Sequence, residues 1–211
     1  MNECVILIEL IIRTLCDTLP KRTADGVFLF GQTVDNQESI FTSAHHLLQR
    51  RRARKVMIMH TDALSGYPGF ESWRLALIRS GIQDGLIEGV WSPETTSLNT
   101  LIEARAMVKH AKRRGYTTVI VCASPFQQPR AFMTSVTAAM CDYPELRIYS
   151  QPGLPLPWHG KATHSQGSTV GTRTELIAGE IERIARYQGK GDLDSVQGVL
   201  DYLNKRSSGH D

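Results

Sequence analysis

The sequence lacks most of the signatures that mark a familiar chemistry. Its 211 residues hold four cysteines, Cys4, Cys16, Cys122 and Cys141, and no two are spaced C-x-x-C. A zinc ribbon and a thioredoxin motif are thereby excluded. Cys122 and Cys141 lie in apolar runs and read as buried free thiols, which fits a reducing cytosol. No H-E-x-x-H exists, and His45 and His46 are adjacent rather than spaced along one helix face, so no metal site is expected. Neither G-x-x-x-x-G-K-[ST] nor G-x-S-x-G occurs, which argues against a P-loop NTPase and an α/β-hydrolase. No apolar run is long enough for a membrane span. The stretch over residues 5–12 is broken by Glu9, ends at Arg13 and has no basic segment before it. It reads as a helix packed on the domain rather than a signal peptide, with a short interfacial anchor as the alternative. Strong charge of one sign is missing too. The net charge is +3, and the one dense basic run is Arg50, Arg51, Arg52, Arg54 and Lys55. That run falls where a helix should end, and cations there complement the helix dipole. A nucleic-acid partner is not expected, and there is no internal repeat or low-complexity tract.

What is present is alternation. Five short apolar runs occupy residues 26–30 (GVFLF), 55–59 (KVMIM), 86–91 (LIEGVW), 117–122 (TTVIVC) and 146–149 (LRIY). Runs such as VFLF and VIVC are apolar at every position, the pattern of strands covered on both faces in a parallel sheet. Helical periodicity fills the gaps, over residues 38–52, 70–80, 97–114, 129–140, 172–188 and 194–205. Thr100–Glu103, Ser124–Gln127 and Thr172–Glu175 match the capping-box spacing, and Gly81 and Gly115 stand where helices should stop. Strand–helix alternation implies right-handed crossovers. The expected fold is α/β: a Rossmann-like three-layer arrangement with a mostly parallel five-stranded sheet flanked by helices. Residues 1–22 would be a helix packed on this domain, 23–192 the α/β domain, and 193–211 a last helix and tail. Residues 151–171 carry prolines and glycines that break any regular element. They read as a surface linker or as a lid over a binding site, with Trp158, His159 and His164 as its ligand-facing groups.

In an open parallel sheet, ligands bind beyond the carboxyl ends of the strands. The residues that follow each run are therefore the site candidates: Gly31, Gln32 and Thr33; His60, Thr61 and Asp62; Glu94, Thr96, Asn99 and Thr100; Ser124 and Gln127. A glycine at 31 lets backbone approach a ligand, and the two helix starts after the third and fourth strands offer free N–H groups. Thr96, Asn99 and Ser124 are equally readable as plain helix caps, and His60 as an ordinary loop histidine. After the first strand stands FGQTVDNQES rather than G-x-G-x-x-G, so a standard dinucleotide oxidoreductase is not expected.

Several motifs together resemble the YdcF/SanA/ElyC-like family, a domain of unknown function. These are the strand Ala24–Gly31 led by Asp25, the segment RKVMIMHTDALSGYPGFESWRLALIRSGI with Glu71 opening a helix, the run Glu94–Thr100 followed by Glu103 and Ala104, the strand Val119–Ala123 leading to Ser124, Arg130 and Ala131, and the helix ELIAGEIER ending at Arg183. The resemblance spans about residues 24–192. Two features depart from it. Met59-His60-Thr61-Asp62 replaces the family's Ser-Gly-Gly, and Gln127 or Gln128 stands where it commonly has a histidine, so no imidazole base is available there. The resemblance implies a ligand-binding α/β domain, because a member binds S-adenosylmethionine. Envelope members carry membrane segments that this chain lacks, so the cytoplasmic branch is the better analogy. The implied ligand is a nucleotide-like or S-adenosylmethionine-like polar metabolite. Glu71, Glu94 and Glu103 would hold hydroxyls or a cationic group, Arg130 a carboxylate or phosphate, and Thr96, Asn99 and Ser124 would orient it. The protein could also be an enzyme acting on that metabolite. The competing class is a non-catalytic interaction or regulatory protein on the same fold, and a homodimer is left open.

Overall fold

The runs that are apolar at every position become the middle of a sheet. The computed structural model describes residues 3–93, 96–164 and 168–208. Five strands, β1 (Gly26–Leu29), β2 (Val56–Met59), β3 (Ile87–Val90), β4 (Thr118–Cys122) and β5 (Arg147–Ser150), form one all-parallel sheet in the order β3-β2-β1-β4-β5. Val27 stands level with Val56 on one side and Ile120 on the other, and every residue of β1 and β2 is buried. Strand order reverses between β1 and β4, which is where an open parallel sheet splits into a crevice.

The helices are α1 (Glu3–Leu15), α2 (Gln37–Gln49), α3 (Phe70–Arg79), α4 (Thr100–Arg114), α5 (Gln128–Asp142), α6 (Arg173–Gly189) and α7 (Val196–Ser208). They flank the sheet, so the expected Rossmann-like three-layer α/β fold is the fold formed. Gly115 ends α4 with φ 68°, a left-handed turn that glycine adopts without strain. The terminal helices join the same core, because Leu10 of α1 and Leu200 and Leu203 of α7 belong to its buried cluster. Asp17 pairs with Arg206 at 2.5 Å and also accepts from the backbone N–H of Ser150 in β5. No helix among the described residues is long and apolar enough to cross a membrane.

Four expectations need correction. Residues 151–171 are not free of regular structure, because β6 (Lys161–His164) and β7 (Thr169–Thr172) pair as a separate antiparallel hairpin. Its strands are four residues long and include Gly171, so local propensity is weak. Tertiary hydrogen bonds hold it instead: Thr33 Oγ1 donates to Thr163 O at 2.7 Å, and Thr163 N donates to Asp35 Oδ2 at 2.9 Å. Cys141 is exposed, since it lies on the solvent side of α5; Cys122 is buried as expected. The helical periodicity puts Leu75 and Ile177 among the apolar-face residues of α3 and α6, but both point outward, at 47% and 40% exposure. The buried stripe of α6 runs instead through Arg173, Leu176, Glu180 and Ile184.

The first half of the 151–171 segment is tied down across α2. Gly153 N donates to Ala123 O, Leu154 N to Ser39 O, and the Ser39 and Ser43 hydroxyls donate back to Leu154 O and Pro152 O. A Cβ at position 153 would overlap Ser39 Oγ and stand 2.9 Å from the Ser39 carbonyl carbon. Backbone cannot yield as a side-chain tip can. Gly153→Ala should therefore lower stability by about 1–3 kcal/mol in urea unfolding, the usual range for overpacking.

Candidate functional site

A cavity of about 340 Å³ opens at the crevice between β1 and β4. Eight of the residues singled out in the sequence line it: Gly31, Gln32 and Thr33 after β1, Asn99, Thr100 and Glu103 at the start of α4, and Gln127 and Arg130 around the start of α5. Ser124 lies just behind the wall, 1% exposed, and its hydroxyl donates to Gln32 Oε1 at 2.7 Å. Thr96 is exposed and lines neither this cavity nor the next. Glu94 lies outside the described residues.

His60, Asp62 and Glu71 line a second cavity rather than the first. The expected single site is thus divided, and the β2–α3 loop is the divider. Leu64 and Tyr67 exchange backbone hydrogen bonds of 3.0 and 2.9 Å across Ser65 and Gly66, both at positive φ. This is the geometry of a two-residue hairpin turn. Ser65 Oγ accepts from Leu98 N at 3.0 Å, and the Tyr67 hydroxyl donates to Met59 O at 2.9 Å. Ser65 and Tyr67 face the first cavity, Asp62 and Leu64 the second, and Leu98 touches both. Glu71 turns to Arg74 at 3.2 Å with its side chain 70% exposed, away from the first cavity.

Asn99 is the helix cap, its Oδ1 accepting from Leu101 N and Ile102 N at 3.0 Å each. The helix consequently begins at Thr100 rather than 97, and Glu103 falls in its first turn. Glu103 does not close a capping box with Thr100. It reaches across the crevice instead and accepts from Gly31 N at 2.6 Å. Burial pushes its carboxyl up to about 8, although the Gly31 N–H and the Arg130 charge favour ionisation. At neutral pH Glu103 is mostly the uncharged acid. Its second oxygen makes no hydrogen bond with the described residues, so a carboxylic O–H is presented to the cavity.

An amide chain fixes a second donor beside it. Gln32 Nε2 approaches Phe30 O and Gly31 O at 3.3 and 3.1 Å, so those two carbonyls orient its amide. The same nitrogen meets Gln127 at 2.7 Å, which requires Gln127 to offer its oxygen. The Gln127 NH2 is left without a partner among the described residues, on a side chain 4% exposed that lines the cavity.

The third group is cationic. Arg130 lies buried against Glu180 of α6, with Nε–Oε2 2.6 Å and Nη2–Oε1 3.1 Å, and its Nη1 donates to Thr100 Oγ1 at 2.7 Å. Glu180 also meets His164 Nε2 at 2.8 Å and Arg183 Nη1 at 3.0 Å. Burial alone would raise the Glu180 carboxyl, but the Arg130 charge and the His164 and Arg130 hydrogen bonds outweigh it and hold it at about 2. Arg183 and Arg186 complete the cationic side of the cavity, opposed by Asp192. None of Glu180, Arg183, Arg186 and Asp192 was singled out from the sequence as a site residue. A signal existed for Glu180: it sits four residues from both Leu176 and Ile184, inside the apolar stripe of α6.

Among the described residues of the 151–171 segment, His164 lines this cavity. Trp158 and His159 line neither cavity, so the proposed covering role narrows to the β6–β7 hairpin. Among the described residues no three His, Cys, Asp or Glu side chains gather as a metal-ligand set. The arrangement offers two hydrogen-bond donors at the inner end, a neutral acid and an amide, and guanidinium groups on the α6 side. No protein-family model and no curated protein matches this chain.

Proposed function

We propose that the cavity between β1 and β4 binds a small polar metabolite with hydrogen-bond acceptors at one end and a carboxylate or phosphate at the other, of nucleotide or S-adenosylmethionine type. The observation that carries this reading is that the second carboxyl oxygen of Glu103 and the amide nitrogen of Gln127, both on buried residues, have no hydrogen-bond partner among the described residues, and that both residues line one cavity at the switch point of the sheet. Neither atom is sealed inside the protein, so both are open to a molecule in the cavity. Its volume of about 340 Å³ suits a small molecule, and Arg183 and Arg186 suit an anionic group on it. The resemblance of residues 24–192 to a family with an S-adenosylmethionine-binding member supports the same ligand class.

Native mass spectrometry of freshly purified protein should show a co-purified small molecule. Calorimetric titration with S-adenosylmethionine and with AMP should show binding by one of them. Affinity should fall as pH rises through about 8, where Glu103 loses its donating proton. Glu103→Gln keeps a donor at that place and should bind without that pH dependence, whereas Glu103→Ala should bind about tenfold more weakly, the loss of one good hydrogen bond to a buried group. No adduct and no binding of either compound would leave the fold as an interaction or regulatory scaffold.

A further inference from the structure

The second cavity holds a different set of groups. Its volume is about 550 Å³, and among the described residues no lysine or arginine lines it. The register that sets Met59 opposite Val90 brings the next residues of the two strands, His60 and Trp91, side by side, and His60 N donates to Val90 O at 2.8 Å. The His60 ring lies between two others, 3.7 Å from Trp91 at 19° and 4.1 Å from Phe70 at 13°. Gly89 of β3 makes this possible, because a Cβ there would overlap His60 Nδ1.

The stack has two end rings: Phe70, which is half-buried, and Trp91, which is 60% exposed although it follows the buried end of β3. An ordered indole face in water is a platform for another flat ring. The polar groups around it select the ring. Asp62 makes no hydrogen bond or ion pair with the described residues, and Thr61, Glu71 and Ser72 add further acceptors. Acceptors and an electron-rich indole favour a ring that bears amino groups or positive charge and disfavour an anion.

We propose that this cavity is a subsite for a planar amino-bearing heterocycle, stacked on Trp91 and hydrogen-bonded to Asp62. The subsite stands whatever the first cavity holds, because the two are separated by the β2–α3 loop and Leu98.

Adenosine is the probe. The chain has three tryptophans, and Trp73 is buried. In a Trp158→Phe background, adenosine should quench Trp91 fluorescence saturably. By calorimetry, Trp91→Ala should weaken adenosine binding by about tenfold or more, as removal of a stacking ring does, and Trp91→Phe should recover most of the loss. Asp62→Asn, at an exposed position, should weaken it with no change in thermal unfolding. Adenosine that fails to quench Trp91, or that binds Trp91→Ala as tightly as the parent, overturns the proposal.

Discussion

Replacing Glu103 with glutamine should make the protein more stable than the wild type above pH 8, by about 3–5 kcal/mol. The sign follows from linkage. The carboxyl titrates at about 8 in the folded chain, against an ordinary value of 4.5. Between those values the unfolded chain gives up its proton and the folded chain keeps it, so stability falls as pH rises from 4.5 to 8 and then stays low. Each pH unit of that gap is worth about 1.4 kcal/mol, which makes roughly 5 kcal/mol an upper value. Glutamine cannot ionise, yet it can still accept from Gly31 N, so the loss disappears while the contact remains. Urea unfolding at pH 4.5, 7 and 9 should give nearly equal stabilities at the lowest pH and a widening difference above it. Parallel pH profiles for the two proteins would show that Glu103 is ionised in the fold. A residue that weakens the fold at working pH while facing an open cavity fits a binding role better than a structural one.

How much of this the sequence discloses depends on chain distance. VFLF and VIVC announce a buried parallel sheet because no other common element is apolar on every side at that length, and the loops after those strands lie at the crevice by topology alone. Gly31 and Gln127 are legible for that reason, and Asn99 by the same rule after the third run, whereas Arg130 enters only through the family resemblance. The division into two cavities was not legible, since it depends on the Ser65-Gly66 turn and on one hydrogen bond from Leu98. The cationic side was not either. Glu180 and Arg130 are separated by 50 residues of chain, and charges along an amphipathic helix ordinarily read as its solvated face. The β6–β7 hairpin escaped for the converse reason: its order comes from Thr33 and Asp35, far away in the sequence, rather than from its own residues.

The Arg130–Glu180 pair carries the other large effect. Both side chains are removed from water, at 8% and 2% exposure, so neither can be rehydrated in place when its partner is lost. Removing one member of such a pair commonly costs about 3–5 kcal/mol, because the survivor is a buried charge. The two truncations should not be equal. Arg130→Ala leaves Glu180 with His164 and Arg183, whereas Glu180→Ala leaves the Arg130 guanidinium without a counter-charge and takes a partner from two further donors. Glu180→Ala should therefore be the worse variant, with thermal unfolding about 10 °C or more below the wild type, given about 2–4 °C per kcal/mol at this chain length. Arg130→Met with Glu180→Leu should recover much of the loss, since no charge is stranded. Acid provides an independent reading of the same pair. Glu180 is held at about 2 in the fold against an ordinary 4.5, so its contribution is full above 4.5 and is lost as pH falls from 4.5 to 2. That limb amounts to about 3 kcal/mol, and it should be absent from the doubly substituted protein. If Arg130→Ala unfolds at the wild-type temperature and keeps the acid limb, the carboxylate is held by α6 and the hairpin alone, and the guanidinium is free to serve a ligand.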